Sequence, residues 1–225
     1  MNLSKYRMGI IYMICFALFS IMVLTIDVHS TGQVLNNEQV YIGFYSLNIF
    51  FKNLIGFNQL FYVISDIILY LSLFTALIFF MITIYQFYKR KSFINVDFNL
   101  RQLMLYYFIL VIIYLLFDKF LPINYRPVSI NGDLSPSYPS THSLFGGFIF
   151  LSSIIQIRIY IKNKSILKCL SVICYGLSAL SFITRMISGV HWFTDLIGSL
   201  FLVLSILYFY KGDLIQIWKK LCAFF

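Results

Sequence analysis

Charge is scarce in this sequence. Only 11% of its 225 residues are charged, with 8 Asp and Glu against 17 Lys and Arg, whereas a soluble domain is about a quarter charged. Together with a mean hydropathy of +0.86, that scarcity excludes a soluble globular domain and a disordered chain. Proline is scarce as well, and all 4 (Pro122, Pro127, Pro136, Pro139) fall in one loop. The 4 cysteines, Cys15, Cys169, Cys174 and Cys222, lie in or beside apolar segments without metal-type spacing. They form no disulfide scaffold and are read as packing or lipid-facing residues. No internal repeat or low-complexity segment is evident. What remains is a chain that is 60% hydrophobic and 20% aromatic. Such a chain is membrane-embedded, and its length allows about six spans of roughly 20 residues without room for a separate soluble domain.

The expected fold is an all-α polytopic membrane protein forming a single membrane domain over 1–225, with spans at about 8–26, 60–88, 102–117, 143–161, 166–183 and 192–210. The first run follows Lys5 and Arg7 as a signal peptide would. It is nevertheless long enough to span and lacks a small-x-small cleavage site, so it is read as a retained helix. The second run exceeds one bilayer crossing, which implies tilt or projection into the headgroups. Between these two runs lies a polar stretch and then an aromatic-rich one, read over 41–57 as an interfacial helix. In the fifth run, Ser171, Gly176, Ser178, Ala179 and Ser181 are small residues suited to close helix packing.

The cations set the topology. With both termini cytoplasmic, thirteen of the seventeen lie inside: Lys5 and Arg7, then Lys89 to Arg101, then Arg158 to Lys168, then Lys211, Lys219 and Lys220. That bias satisfies the positive-inside rule and accounts for most of the +9 net charge. No nucleic-acid partner is needed to explain it, and no obligatory protein partner is evident.

Four cations remain outside: Lys52, Lys119, Arg126 and Arg185. Three of them stand at or near helix mouths, where a charge is costly unless it is used. Lys119 and Arg126 lie seven residues apart on one loop, with Pro127 fixing the backbone after them, and two such cations can grip a phosphate. Pro139-Ser140-Thr141-His142 immediately precedes the fourth span. The N–H groups of that helix's first turn suit an anion, and Ser140 or Thr141 is placed to cap it. Thr184-Arg185 is followed by His191 and, four residues on, by Asp195. This spacing puts His191 and Asp195 on one helical face, so that the carboxylate holds one imidazole nitrogen and leaves the other free to attack. From His142 to Arg185 the chain has room for an inward span, a turn and an outward span, so all three blocks meet on the outer side.

Lys119-x6-Arg126-Pro127, then Pro139-Ser140-Thr141-His142, then Thr184-Arg185-x5-His191-x3-Asp195 resembles the three-part signature of the type 2 phosphatidic acid phosphatase superfamily, written K-x6-R-P, P-S-G-H and S-R-x5-H-x3-D. Order and spacing agree in all three blocks. Thr141 stands where the family usually has Gly, and Thr184 where it usually has Ser. The resemblance implies a six-helix membrane phosphatase that needs no metal or other cofactor. Lys119, Arg126 and Arg185 would hold the phosphoryl oxygens, helped by Ser140, Thr141 and the neighbouring N–H groups. His191 would attack phosphorus, Asp195 would orient His191, and His142 would protonate the leaving group and later activate water.

His29 is read as an interfacial polar residue, and Asp66 as a structural residue that caps the second span or faces the pocket. Asp118 and Asp133 flank the loop and receive no role. The substrate class implied is a membrane lipid phosphate: first undecaprenyl pyrophosphate, recycled at the outer face of a bacterial cytoplasmic membrane, then phosphatidylglycerophosphate or phosphatidic acid. A lipid phosphotransferase and a non-enzymatic lipid-binding or transport protein are the competing classes.

Overall fold

The computed structural model describes residues 5–35, 37–129 and 134–222, with side chains through Leu214. Asp133 and the side chains of Lys219, Lys220 and Cys222 therefore lie outside the described residues. The elements run α1 (Arg7–Thr25), β1 (His29–Leu35), β2 (Glu38–Ile42), α2 (Tyr45–Ile55), α3 (Gln59–Arg90), α4 (Phe98–Leu115, continued by a π-turn over Leu116–Phe120), α5 (Thr141–Tyr160), α6 (Lys164–Ile187) and α7 (Phe193–Cys222). All except α2 and the strands are long and apolar enough to cross a membrane. The chain is a multi-pass membrane protein.

Local chemistry sets the helix ends. The Asn58 side chain accepts from the Phe61 N–H at the start of α3, and Asn163 accepts from Ser165 and Ile166 at the start of α6, as N-cap residues do. Helix α3 has 32 residues, so it is roughly 48 Å long at about 1.5 Å per residue and outruns the hydrocarbon layer. It ends on Lys89 and Arg90, cations favoured at a helix C-terminus. Helix α4 starts at Phe98, ahead of the expected Gln102. There the Asp97 carboxylate collects the Gln86 amide, Arg90 and the Tyr160 hydroxyl, while Leu100 and Leu103 are buried.

Helices α5 and α7 form the centre of the bundle, and α1, α3, α4 and α6 turn most of their surface outward. The main core joins them through Leu100, Leu103, Phe148, Leu202, Ile206 and Tyr210. Small residues set the closest approach. A Cβ built on Gly146 of α5 would stand 2.6 Å from the Ser181 Cβ of α6. Ser171, Ser178 and Ser181 do face inward, but Gly176 has nothing within 4 Å and Ala179 is exposed, so these two take no part in the contact expected of them. They lie on the outward face of the helix.

The segment between the first two spans departs from expectation. It is an antiparallel hairpin, with His29 opposite Ile42 and Leu35 opposite Glu38, followed by a helix shorter than 41–57. Helix α2 begins only at Tyr45 because Val40 and Ile42 are buried as strand residues, and Phe44 turns the chain in a left-handed conformation at φ 47°. The Asp27 carboxylate then receives the Ser46 N–H at 2.7 Å. His29 pairs with Asp27 at 3.2 Å and stays exposed.

The α6–α7 turn lies against the start of α3: Asn58 N–H donates to the Ser188 carbonyl at 3.1 Å. Gly189 there has φ +69°, and a Cβ on it would stand 1.9 Å from the Gly56 carbonyl oxygen. Gly189→Ala is therefore expected to lower stability by about 1–3 kcal/mol. Gly176→Ala, which meets nothing, should be neutral or stabilising by up to about 1 kcal/mol. Thermal unfolding of the two variants in detergent checks this.

Candidate active site

Helix α6 buries Ser171, Cys174, Ser178, Ser181, Thr184 and Arg185, a spacing of three and four residues that makes one stripe. The stripe ends on a cation. Arg185 is 0% exposed, so its charge must be met inside the bundle. The N-terminal part of α3 meets it. Ser65 Oγ accepts from an Arg185 terminal nitrogen at 2.9 Å, Asp66 Oδ1 lies 3.5 Å away, and the Tyr62 ring sits 5.4 Å from the guanidinium carbon. Asp66 Oδ1 also bonds His142 Nε2 at 2.8 Å. His142 is the second residue of α5.

The start of α7 supplies the second half. His191 Nδ1 lies 3.3 Å from Asp195 Oδ2, the one-turn pairing expected of that spacing. Asp195 is 0% exposed and well supplied with donors. Trp192 N–H gives to Oδ2 at 3.0 Å and the Asn124 side-chain amide to Oδ1 at 3.1 Å. Backbone bonds lock the surrounding elements together. Ser140 N–H donates to the Asp195 carbonyl, and Ser199 Oγ sits between the carbonyls of Ser140 and Asp195. The loop before α5 is tied in by Ser137 N–H to Asn124 and Arg126 N–H to Ser135, and by the Trp192 indole N–H to the Tyr125 carbonyl at 2.6 Å. Helix α2 supports the same corner, since Asn48 bonds Thr194 and Phe51 stacks on Phe193.

Not every motif residue joins this cluster. Arg126, Arg185, His142, His191 and Asp195 converge, and Ser140 is buried at the start of α5. Lys119 stands apart: it is on the π-turn after α4, pairs with its neighbour Asp118 at 2.9 Å, and its side chain is 67% exposed. There it is hydrated and close to its own counterion. Ser140 occupies the N-cap position, but its Oγ is within reach of Ser143 Oγ at 3.2 Å, and no side-chain cap closes the first turn of α5. Thr141 lines a recess with Tyr114, Phe117 and Asp118. The Thr184 hydroxyl donates back to the Leu180 carbonyl within its own helix.

The electrostatics suit an anion. Burial holds the His191 imidazole well below its ordinary pKa, and the nearby charges of Arg185 and Arg126 add to that effect, so the ring is neutral at pH 7. Four buried nitrogens of the cluster, Arg126 Nε, His142 Nδ1, Arg185 Nε and His191 Nε2, have no hydrogen-bond partner in the protein. Buried polar atoms are seldom left so. Two guanidinium nitrogens and two imidazole nitrogens without protein partners thus belong to one cluster, an arrangement that fits a phosphoryl group.

Residues 119–214 match the family model described as the PAP2 superfamily. A comparison with curated protein sequences finds no match. Among solved structures, the fold is similar to the crystal structure of a transmembrane PAP2-type phosphatidylglycerolphosphate phosphatase from Bacillus subtilis. That similarity has a TM-score of 0.64 at 16% identity and covers 93% of this chain and 97% of that one.

The residues around the three motif blocks were harder to find in the sequence. Asn124 sits two residues before Arg126, in a loop of undefined structure. Tyr62, Ser65 and Asp66 do carry a signal: their spacing marks one face of a span, and that face includes a carboxylate. Replacing Asn124 with Ala strips a donor from a buried carboxylate, at an expected cost of about 1–3 kcal/mol in detergent unfolding. A neutral buried His191 also fixes a sign. Its contribution to stability is fully present above the ordinary value of 6.5 and is lost as pH falls below it, because the unfolded chain takes up the proton first. Nitrogen NMR of labelled histidine should show His191 still neutral at pH 6.5.

Proposed function

We propose that this protein is a member of the PAP2 superfamily that hydrolyses the terminal phosphate of a membrane lipid through a phosphohistidine on His191. The observation that carries the proposal is the buried His191 Nε2, which is without a partner while Nδ1 faces Asp195 and two arginines stand beside it. With Nδ1 protonated toward Asp195, the Nε2 lone pair forms the bond to phosphorus as the bond from phosphorus to the leaving oxygen breaks. That oxygen takes a proton from His142. In the second step water gives a proton to His142 and its oxygen bonds phosphorus. The nitrogen–phosphorus bond breaks, its electron pair returns to Nε2, and inorganic phosphate is released. Arg126 and Arg185 neutralise the phosphoryl oxygens throughout, the first-turn N–H groups of α5 add dipole support, and Lys119 serves the outer rim of the site. No step calls for a metal ion.

The cation distribution supports cytoplasmic termini and a site at the extracytoplasmic face of a bacterial cytoplasmic membrane. A lipid reaches such a site with its tail still in the bilayer. The substrate proposed first is undecaprenyl pyrophosphate, whose leaving group is a lipid monophosphate. Phosphatidylglycerophosphate is the second reading, favoured by the activity of the Bacillus subtilis protein whose fold it shares, and phosphatidic acid has the same terminal monoester.

Purified protein should release inorganic phosphate from at least one member of a panel of undecaprenyl pyrophosphate, phosphatidylglycerophosphate, phosphatidic acid and a water-soluble ester. The preferred member identifies the substrate. Release without an added alcohol separates a hydrolase from a phosphotransferase, and no release from any lipid would contradict the proposal. Activity should be unchanged in EDTA. His191→Ala should lose at least about 1,000-fold in kcat, the scale on which nucleophile removal acts.

A further inference from the structure

Helix α3 belongs to none of the three motif blocks, yet its outer end turns one continuous face toward them. Tyr62, Ser65 and Asp66 lie at the three-and-four spacing of a single helical stripe, and each touches Arg185 or is close to it. Asp66 also reaches His142. Its Oδ1 is 2.8 Å from His142 Nε2 and 3.5 Å from the nearest Arg185 nitrogen. The first distance is that of a charge-assisted hydrogen bond; the second is a looser ion pair. Asp66 is therefore bound first to the histidine and only second to the arginine.

The bond also settles which nitrogen of His142 is available. A carboxylate accepts hydrogen bonds and has none to give, so Nε2 carries the proton shared with Asp66. His142 Nδ1 is left buried and without a protein partner. The site thus holds two histidine–carboxylate pairs of opposite sense. Asp195 takes the Nδ1 side of His191 and frees Nε2, whereas Asp66 takes the Nε2 side of His142 and frees Nδ1.

We propose that Asp66 is the positioning residue of the acid–base histidine. It holds His142 through Nε2–H, so that Nδ1 delivers the proton to the leaving oxygen and later takes one from water. Asp66 makes no contact with phosphorus in this scheme, and its negative charge stabilises the imidazolium while His142 carries the proton. The inference rests on the reading of His142 given above.

The test compares an aryl phosphate, whose leaving oxygen departs without a proton, with an alkyl phosphate, whose leaving oxygen needs one. Asp66→Ala should lower kcat/KM for the alkyl ester, which reports the phosphorylation step, by about 100-fold, the low end of general acid catalysis. The aryl ester should lose less than about tenfold in kcat/KM, while its kcat falls because water attack on the phosphohistidine still needs His142. Asp66→Asn, which keeps an acceptor without the charge, should fall between wild type and Asp66→Ala. Equal losses of kcat/KM on both esters, or a rise in KM with kcat unchanged, would overturn the proposal in favour of a purely structural partner for Arg185. Nitrogen NMR of labelled histidine reads the same claim without turnover: His142 should be the Nε2–H tautomer in the wild type and lose that preference in Asp66→Ala. A His142 protonated on Nδ1 in the wild type would also overturn it. Wild-type protein that releases phosphate from no ester, yet shows the Nε2–H tautomer, would instead sink the functional reading and leave the pairing intact.

Discussion

A guanidinium is fully buried at the end of a membrane-spanning helix, and the organisation of the site follows from meeting that charge. Arg185 cannot reach headgroup water, so its donors must be satisfied from neighbouring helices. The small residues of α6 let it approach α5 closely enough to bring the arginine beside His142. The N-terminal part of α3 supplies the hydroxyl, the carboxylate and the aromatic ring. One nitrogen, Nε, is left buried without a partner in the protein.

The second organising element is the loop over 121–139. It joins the outward-facing α4 to the central α5, and its backbone is tied to Asn124, Ser135 and the Trp192 indole. Through Asn124 it also reaches the Asp195 carboxylate that faces His191. The loop therefore brings Arg126 and Asn124 to the same cluster as Arg185 and the His191–Asp195 pair. The hairpin and α2 cap this corner, with Asn48 and Phe51 bound to the first turn of α7. The residues that position chemistry come from α3, the loop, α5, the α6–α7 turn and α7. Such a site forms only when the whole bundle has assembled.

The spans were legible from sequence for a simple reason: helices long and apolar enough to cross a bilayer leave strong linear signals. The pairing of His191 with Asp195 was legible because it is local, one helical turn. The convergence of Arg126, His142 and Arg185 came from motif spacing. What was not legible depends on contacts distant in sequence. Asp66 and His142 are 76 residues apart, and Asn124 and Asp195 are 71 apart. The hairpin over 29–42 was missed because its alternation is short and mixed, with a register irregularity between Ser30 and Val34. The stripe on α6 was only half legible. Its small residues are visible, but Gly176 and Ala179 fall on the wrong face, and composition alone does not report rotation about the helix axis. Lys119 belongs to the first motif by spacing and yet sits beside Asp118, because adjacent residues on a π-turn meet more easily than residues across the loop.

The central claim is that His191 Nε2 becomes covalently phosphorylated during turnover. The most direct measurement is rapid quench of the purified protein with a lipid substrate labelled in its terminal phosphate, followed by peptide mapping of the protein-bound label. The account predicts a label that is stable in base, labile in acid and confined to the peptide containing His191. Full turnover with no protein-bound label under any quench, or label residing on another residue, would contradict it.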